Sequence, residues 1–349
     1  MSVLRALVIS LAAIVLTEPT PSPIVLDWTV GRCMGCKHRY GLRNLQFVTR
    51  TEGWATGLIV SESEGHGWEY SSVLHTVDGG RTWRPVPDVE EYGIGSEPPF
   101  WFIDPRHGWI GWMIVELPED RLMRTSDGGR SWKKLSPQEI GLWVHLRFID
   151  RSIGYAAVSS GEDGPRFGRT SNGGETWQFG RNPVVASLRY PNQMFFLNKD
   201  VGWLGGAGIL WTSDGGATWQ RAVGTDEFGS DVQELFFLDA SHGWAIVRQP
   251  FNDATSTLIH TEDGGRTWQP VPGFVRSHAW LTAVRFFSLT TGVAFAMNPR
   301  EMFSTTDGGR TWQAQPLDAD VNSCQAQFGE VWCTSGLNLL RLRQQAPGR

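Results

Sequence analysis

The chain has 349 residues, a formal net charge of −5 and a pI near 5.9, with charged residues at 19 % and an abundance of Gly (41) and Trp (18). The acidic balance argues against a broad grip on nucleic acid, which needs a basic face, and equally against attraction to anionic lipid surfaces. Many glycines and aromatics, with few long periodic apolar runs, favour short strands and tight turns over helices.

At the N-terminus, residues 1–5 carry one basic side chain, residues 6–16 form an eleven-residue apolar run, and a polar, Pro-rich stretch follows over 18–23. Eleven residues are too few to span a bilayer, which takes about 20, and they fit the core of an export signal. The protein is therefore expected in a periplasmic, extracellular or lumenal compartment. No small-x-small cleavage site is evident, which leaves an uncleaved N-terminal anchor as the alternative. Residues 1–22 are read as signal peptide and Pro-rich segment, and residues 23–345 as one domain.

The segment Ile24-Val-Leu-Asp-Trp-Thr-Val30 reads as an isolated strand, followed by Cys33-Met-Gly-Cys36. Four cysteines in an exported chain are expected to pair. A Cys-x-x-Cys pair also suits redox chemistry or, with His38, a metal, but three ligands fall one short of a structural zinc site. A local disulfide Cys33–Cys36, without metal, is the favoured reading.

Further along, one octapeptide recurs six times. It first reads Thr76-Val-Asp-Gly-Gly-Arg-Thr-Trp83 and returns at 125–132, 170–177, 212–219, 261–268 and 305–312. Its third residue is Asp78, Asp127, Asn172, Asp214, Asp263 and Asp307, at steps of 49, 45, 42, 49 and 44 residues. Such a period is that of one four-stranded propeller blade. A second motif runs in phase: Phe102 before Gly108-Trp109, Phe148 before Gly154-Tyr155, Phe196 before Gly202-Trp203, Phe237 before Gly243-Trp244, with weaker copies at 47–54 and 286–293. Each repeat thus predicts a strand ending at Phe, a second opening at Gly-Trp, a third running into the octapeptide and a fourth starting at its Trp.

The octapeptide has the chemistry of a rigid turn. Paired glycines take positive φ without a Cβ penalty, while the Asp carboxylate and Thr hydroxyls accept N–H groups of their own turn. The Trp is expected to wedge into the seam between blades. Six Asp residues on six separate turns cannot converge on one substrate, so they are read as structural.

This octapeptide resembles the Asp-box, or BNR repeat, of sialidases, sortilin-type receptors and some glycoside hydrolases. The paired pattern, as in Phe102-Ile-Asp-Pro-Arg-His-Gly-Trp109 followed by the box at 125–132, is most similar to the Ycf48-like family of photosystem II assembly factors. The resemblance spans roughly residues 41–317. It implies a β-propeller, and a role in holding a membrane-protein subunit or its precursor on the exported side of a membrane.

Six boxes are followed by three more strand-like stretches at 321–327, 330–335 and 338–343, without a box or a fourth strand. The isolated strand 24–30 resembles the fourth strands, and the expectation is that it completes blade seven. The fold class predicted is all-β: a seven-bladed propeller of four-stranded antiparallel blades, closed by the N-terminal strand. Closure of that kind limits exposed edges. If Phe328-Gly329 is a two-residue hairpin turn, Cys324 and Cys333 stand directly opposite each other, within disulfide reach.

Propeller ligands usually gather at the channel mouth, away from the box turns. Loops expected there, at 90–100, 136–144, 182–191, 225–233, 273–280, 61–72 and 249–256, carry Trp68, Tyr70, Tyr92, Trp143, Tyr190, Phe228, Phe251 and Trp280, with Arg189, Arg276 and His278. Arg147 and Arg285, each just before a motif Phe, are expected to point to the channel. Aromatics beside arginines suit recognition surfaces, so Trp143, Arg147, Arg189, Tyr190, Trp280 and Arg285 are the candidate binding residues. The Phe/Tyr-Arg-Ile-Pro motif of sialidases is absent, Arg189-Tyr190-Pro191 being only a faint echo. Asp-box xyloglucanases seat their carboxylates between two propellers, and this chain has one. No Gly-x-Ser-x-Gly elbow, Walker loop or His-Glu-x-x-His occurs. The reading is a monomeric, non-catalytic binder of a protein client, with no cofactor. Carbohydrate binding through the loop aromatics, or a sialidase-like hydrolase, is the alternative.

Overall fold

The computed structural model describes residues 24–36, 40–59, 70–87, 89, 92–93, 98–111, 122–135, 142–159, 164–180, 182–225, 231–249, 252–274 and 279–344. They form seven sheets, antiparallel but for one short parallel pairing on blade 1, arranged as a seven-bladed propeller, as expected. The innermost strands of blades 1 to 7 are Tyr40–Phe47, Phe100–Phe102, Leu142–Phe148, Gln193–Phe196, Asp231–Phe237, Leu281–Phe286 and Cys324–Gln327. Among the described residues helix is confined to Pro183–Ala186, whose N-cap Asn182 accepts from the N–H groups of Val184 and Val185. No described helix is long and apolar enough to cross a membrane; the apolar run 6–16 lies outside the described residues.

What packs blade to blade is the second motif. The Trp after each motif Gly lies flat on the motif Phe of the next blade: Trp54 on Phe102 at 3.6 Å, Trp109 on Phe148 at 3.7 Å, Tyr155 on Phe196 at 3.9 Å, Trp203 on Phe237 at 3.5 Å and Trp244 on Phe286 at 3.7 Å between ring centroids. The octapeptide Trp of that same next blade meets the Phe edge-on, as Trp132 does Phe102 and Trp268 does Phe237. The edge-on geometry is the one the ring quadrupole favours, adding about 0.5–1.5 kcal/mol per pair beyond burial, while the flat contacts are held by burial and dispersion. The motif Gly is required because the Phe ring folds back over it: a Cβ on Gly108 would sit 2.3 Å from the Phe102 ring.

The octapeptides form the predicted turns. In blade 2, Gly128 and Gly129 have φ of 78° and 86°. The Asp127 carboxylate accepts from the N–H groups of Arg130 and Ser131 and from the Thr125 and Ser131 hydroxyls, while the Thr125 hydroxyl accepts from the Gly129 N–H. Asn172 keeps this geometry without the charge, accepting from the Thr176 N–H and donating to its hydroxyl. Each turn also donates to the neighbouring turn of its own blade, as Gly128 N–H does to the Arg106 carbonyl.

Ring closure uses the N-terminal strand Ile24–Thr29, paired antiparallel with Asn338–Gln344 from Ile24 opposite Gln344 to Thr29 opposite Leu339. The chain then crosses the seam and pairs Arg32–Cys33 parallel with the outer strand of blade 1, Arg32 opposite Thr82 and Cys33 opposite Trp83. Gly31 sits at this crossing because a Cβ there would fall 2.0 Å from the Leu337 carbonyl oxygen. The structure bonds Cys33 to Cys36 and Cys324 to Cys333. The latter pair stands directly opposite in register, 4.1 Å between Cα atoms, beyond a Phe328-Gly329 turn with φ of 57° and 71°. His38 lies outside the described residues, among which no group of three or more His, Cys, Asp and Glu could hold a metal.

Replacing Asp214 by Ala is expected to cost about 1–3 kcal/mol in denaturant unfolding through lost turn hydrogen bonds, and replacing it by Asn distinctly less, given Asn172. The Ser131 hydroxyl and N–H hold Asp127 down at about 2, and at Asp307 the Thr311 hydroxyl and N–H and the Thr305 hydroxyl outweigh burial to the same effect. A depressed carboxylate stabilises above its ordinary value. The contribution of these two turns should therefore be complete above about pH 4 and lost as pH falls through 2, visible as a melting temperature that drops in that window. Deleting residues 24–30 should lower the melting temperature and raise amide exchange in Asn338–Gln344, whose outer pairing would be gone.

Candidate functional site

Period-2 alternation along each innermost strand sends the motif Phe into a seam and the residue before it toward the axis. That preceding residue is Gln46, Trp101, Arg147, Phe195, Phe236 and Arg285 in blades 1 to 6, and Gln325 holds the equivalent register in blade 7, opposite Trp332. All seven line a central cavity of about 700 Å³, together with Asn44, His145, Asn192, Gln193, Glu234 and Gln327.

Several of these side chains stitch neighbouring blades. The Gln46 amide bonds both the carbonyl and the N–H of Phe102, at 2.7 and 2.8 Å, and Gln325 accepts from the Phe47 N–H at 2.6 Å. Arg285, expected as a recognition residue, belongs to this stitching. It is 9 % exposed, pairs with Glu234 at 2.7 Å, donates to the Val284 carbonyl at 2.7 Å and to the Cys324 carbonyl, and lies over the Phe236 ring. Burial pushes the Glu234 carboxyl up, and Arg285 opposes it.

Arg147 is different. Its guanidinium lies over the rings of Trp101, 4.3 Å to the centroid, and Phe195, 4.9 Å, which project from blades 2 and 4 on its two sides. No carboxylate among the described residues pairs with it, its Nε has no hydrogen-bond partner, and burial brings its pKa down to about 10. Two residues earlier on the same strand, burial brings His145 down to about 4, against the backbone carbonyls of Asn192 and Pro191, so its ring is neutral at pH 7; its Nε2 is unpartnered.

Ahead of the innermost strand of blade 4, Tyr190 is 72 % exposed and follows Arg189, which has φ of 61° at the exit of the short helix. Trp280 is 39 % exposed, and the Arg248 guanidinium lies 4.2 Å over its ring while donating to the Leu281 carbonyl at 2.8 Å. Trp143 pairs with Val158 in blade 3, but its side chain, like those of Tyr70 and Tyr92, lies outside the described residues, as do Trp68, Phe228, Phe251, Arg276 and His278. The structure thus puts Arg147 and Arg285 in the wall of the axial cavity, while Arg189, Tyr190 and Trp280 are not among its lining residues and lie on the segments just before the innermost strands of blades 4 and 6. Sequence reasoning missed Trp101, Phe195, His145, Glu234 and Arg248. Aligning the repeats on the motif Phe would have found Trp101 and Phe195, since both stand one residue before it.

No protein-family model matches this chain, and no curated protein matches it. Among solved structures it is similar to YCF48 bound to D1 peptide, with a TM-score of 0.64 at 17 % identity over 93 % of this chain and 97 % of that one. It is also similar to YCF48 from Cyanidioschyzon merolae, with a TM-score of 0.61 at 16 % identity over 91 % and 98 %. A third likeness is to the GH74 xyloglucanase from Xanthomonas campestris, with a TM-score of 0.60 at 14 % identity over 93 % of this chain and 55 % of that one. The chain therefore spans about half the length of that xyloglucanase. At these identities the likeness is one of fold: the protein is a seven-bladed β-propeller.

Replacing Arg285 by Met is expected to cost about 3–5 kcal/mol, because Glu234 would be left as an uncompensated buried carboxylate. Denaturant unfolding would read this directly, and an unchanged midpoint would return Arg285 to the recognition residues.

Proposed function

We propose that the protein is a non-catalytic, assembly-factor-like propeller that works on the exported side of a membrane and recognises a protein client at the mouth of its channel. The observation that carries this reading is two exposed aromatics beside arginines. Tyr190 with Arg189, and Trp280 with Arg248 over its ring, present aromatic faces and guanidiniums where the chain leads into the innermost strands of blades 4 and 6, on a propeller whose seams are locked by stacked rings. Exposed aromatics and arginines on a rigid support are what binding hot spots are made of. The fold likeness to a YCF48 bound to D1 peptide supports a peptide-binding role, and the apolar run at 6–16 supports export. The membrane-protein subunit expected from the family resemblance is the client class proposed. Among the described cavity-lining residues Glu234 is the one carboxylate, and Arg285 already engages it. Two-carboxylate glycoside hydrolysis has no second group there.

The test is a pull-down of the tagged protein from its native envelope, with partners identified by mass spectrometry, beside the Tyr190→Ala/Trp280→Ala double variant. A defined membrane-protein partner, captured by the wild type and lost in the folded double variant, is expected. Capture unaffected by the double variant would remove these two aromatics from the interface. If the wild type retains glycans in place of proteins, and salt does not release them, the client reading fails.

A further inference from the structure

We propose that the axial cavity is an anion site in which Arg147 receives a carboxylate group. The charge balance of the wall leads there. Its ionised side chains at neutral pH are Arg147, Arg285 and Glu234; Glu234 neutralises Arg285, and His145 is uncharged. One positive charge is left over, held half-buried in the wall, where fields are screened far less than in water.

The local geometry makes that charge a receptor for a planar anion. The guanidinium lies over the ring faces of Trp101 and Phe195, which stabilise the cation but supply no hydrogen bonds to it. The Nε–H is buried without a partner, no hydrogen bond among the described residues engages the two terminal nitrogens, and the side chain lines the cavity, so the terminal edge of the fork is the part open to a ligand. Held between two ring faces, the side chain has little rotamer freedom left to lose on binding. A guanidinium fork matches the two oxygens of a carboxylate, which can accept two parallel N–H bonds. A cavity of about 700 Å³ has room for a small carboxylic acid or the end of a peptide. The two sources share this chemistry. Only the peptide-borne one rests on the client reading above.

Succinate and the free-acid and C-terminally amidated forms of N-acetyl-trialanine serve as probes, titrated against intrinsic Trp fluorescence and melting temperature of the whole protein. Saturable binding of at least one free acid is expected, with the amidated peptide failing to bind. Arg147→Gln should weaken binding at least about tenfold. Arg147→Lys, which keeps the charge and the stack but loses the fork, should fall between, and it carries the test if Arg147→Gln fails to fold. Tighter binding of the peptide acid than of succinate identifies a chain-borne carboxylate, and the reverse a free ligand. No saturable binding by the wild type, or equal binding by folded Arg147→Gln or Arg147→Lys, overturns the proposal. The envelope pull-down is read separately: a client lost through the Tyr190→Ala/Trp280→Ala double variant but not through Arg147→Gln would leave the client reading standing and exclude a client-borne carboxylate.

Discussion

The structure depends on a repeated three-ring contact, in which a Phe on the innermost strand is stacked by a Trp or Tyr from the blade before and met edge-on by the Trp of its own box. Each such Phe is at most 3 % exposed, so removing one would sacrifice its hydrophobic transfer and leave a void between two sheets. The contact links three otherwise separate features of the repeat. The motif Gly is small because the ring folds over it, the box glycines turn the chain so that its Trp reaches the ring, and the Asp holds that turn.

The rule is broken at two places, and both are near the join of the ring. Between blades 6 and 7, Val293 stands where the other blades have Trp or Tyr and Ala326 where they have Phe, and the seam is filled instead by Phe295, Met302, Val321 and the Cys324–Cys333 bridge. Between blades 7 and 1, Trp332 meets Phe47 at 4.5 Å and a tilt of 32°, looser than the other stacks. That seam is where the N-terminal segment passes over, first as the outer strand of blade 7 and then as a parallel strand on blade 1. A chain that must fasten its last blade with its own beginning thus compensates a weaker ring contact with backbone pairing across it.

The same period-2 register that buries the motif Phe decides what faces the axis. One residue earlier, the side chain must point into the cavity, and the residues there are amides, aromatics and two arginines. The two arginines have parted in role. Arg285 has a carboxylate from blade 5 and a carbonyl from blade 7 within reach and is consumed in holding three blades together. Arg147 has only ring faces beside it. Nothing local to either sequence position separates them, since both read as Arg before Phe.

Fold, blade number and the closing strand were legible in the sequence because they rest on short-range chemistry: positive-φ turns that need Gly, hydroxyl and carboxylate groups two to four residues apart, and an apolar period of two. Even the Cys324–Cys333 register could be counted from a two-residue turn. The opposite outcome at Arg285 shows where this stops. Its partner Glu234 lies 51 residues away in the neighbouring blade, and pairing across blades depends on ring geometry that no local pattern encodes. Likewise Trp101 and Phe195, 46 residues before and 48 after Arg147, become its neighbours only once three blades stand side by side. The sequence determined the turns, the seams and the direction in which each side chain points; the tertiary structure alone decided which of the axial charges is satisfied and which is left to act.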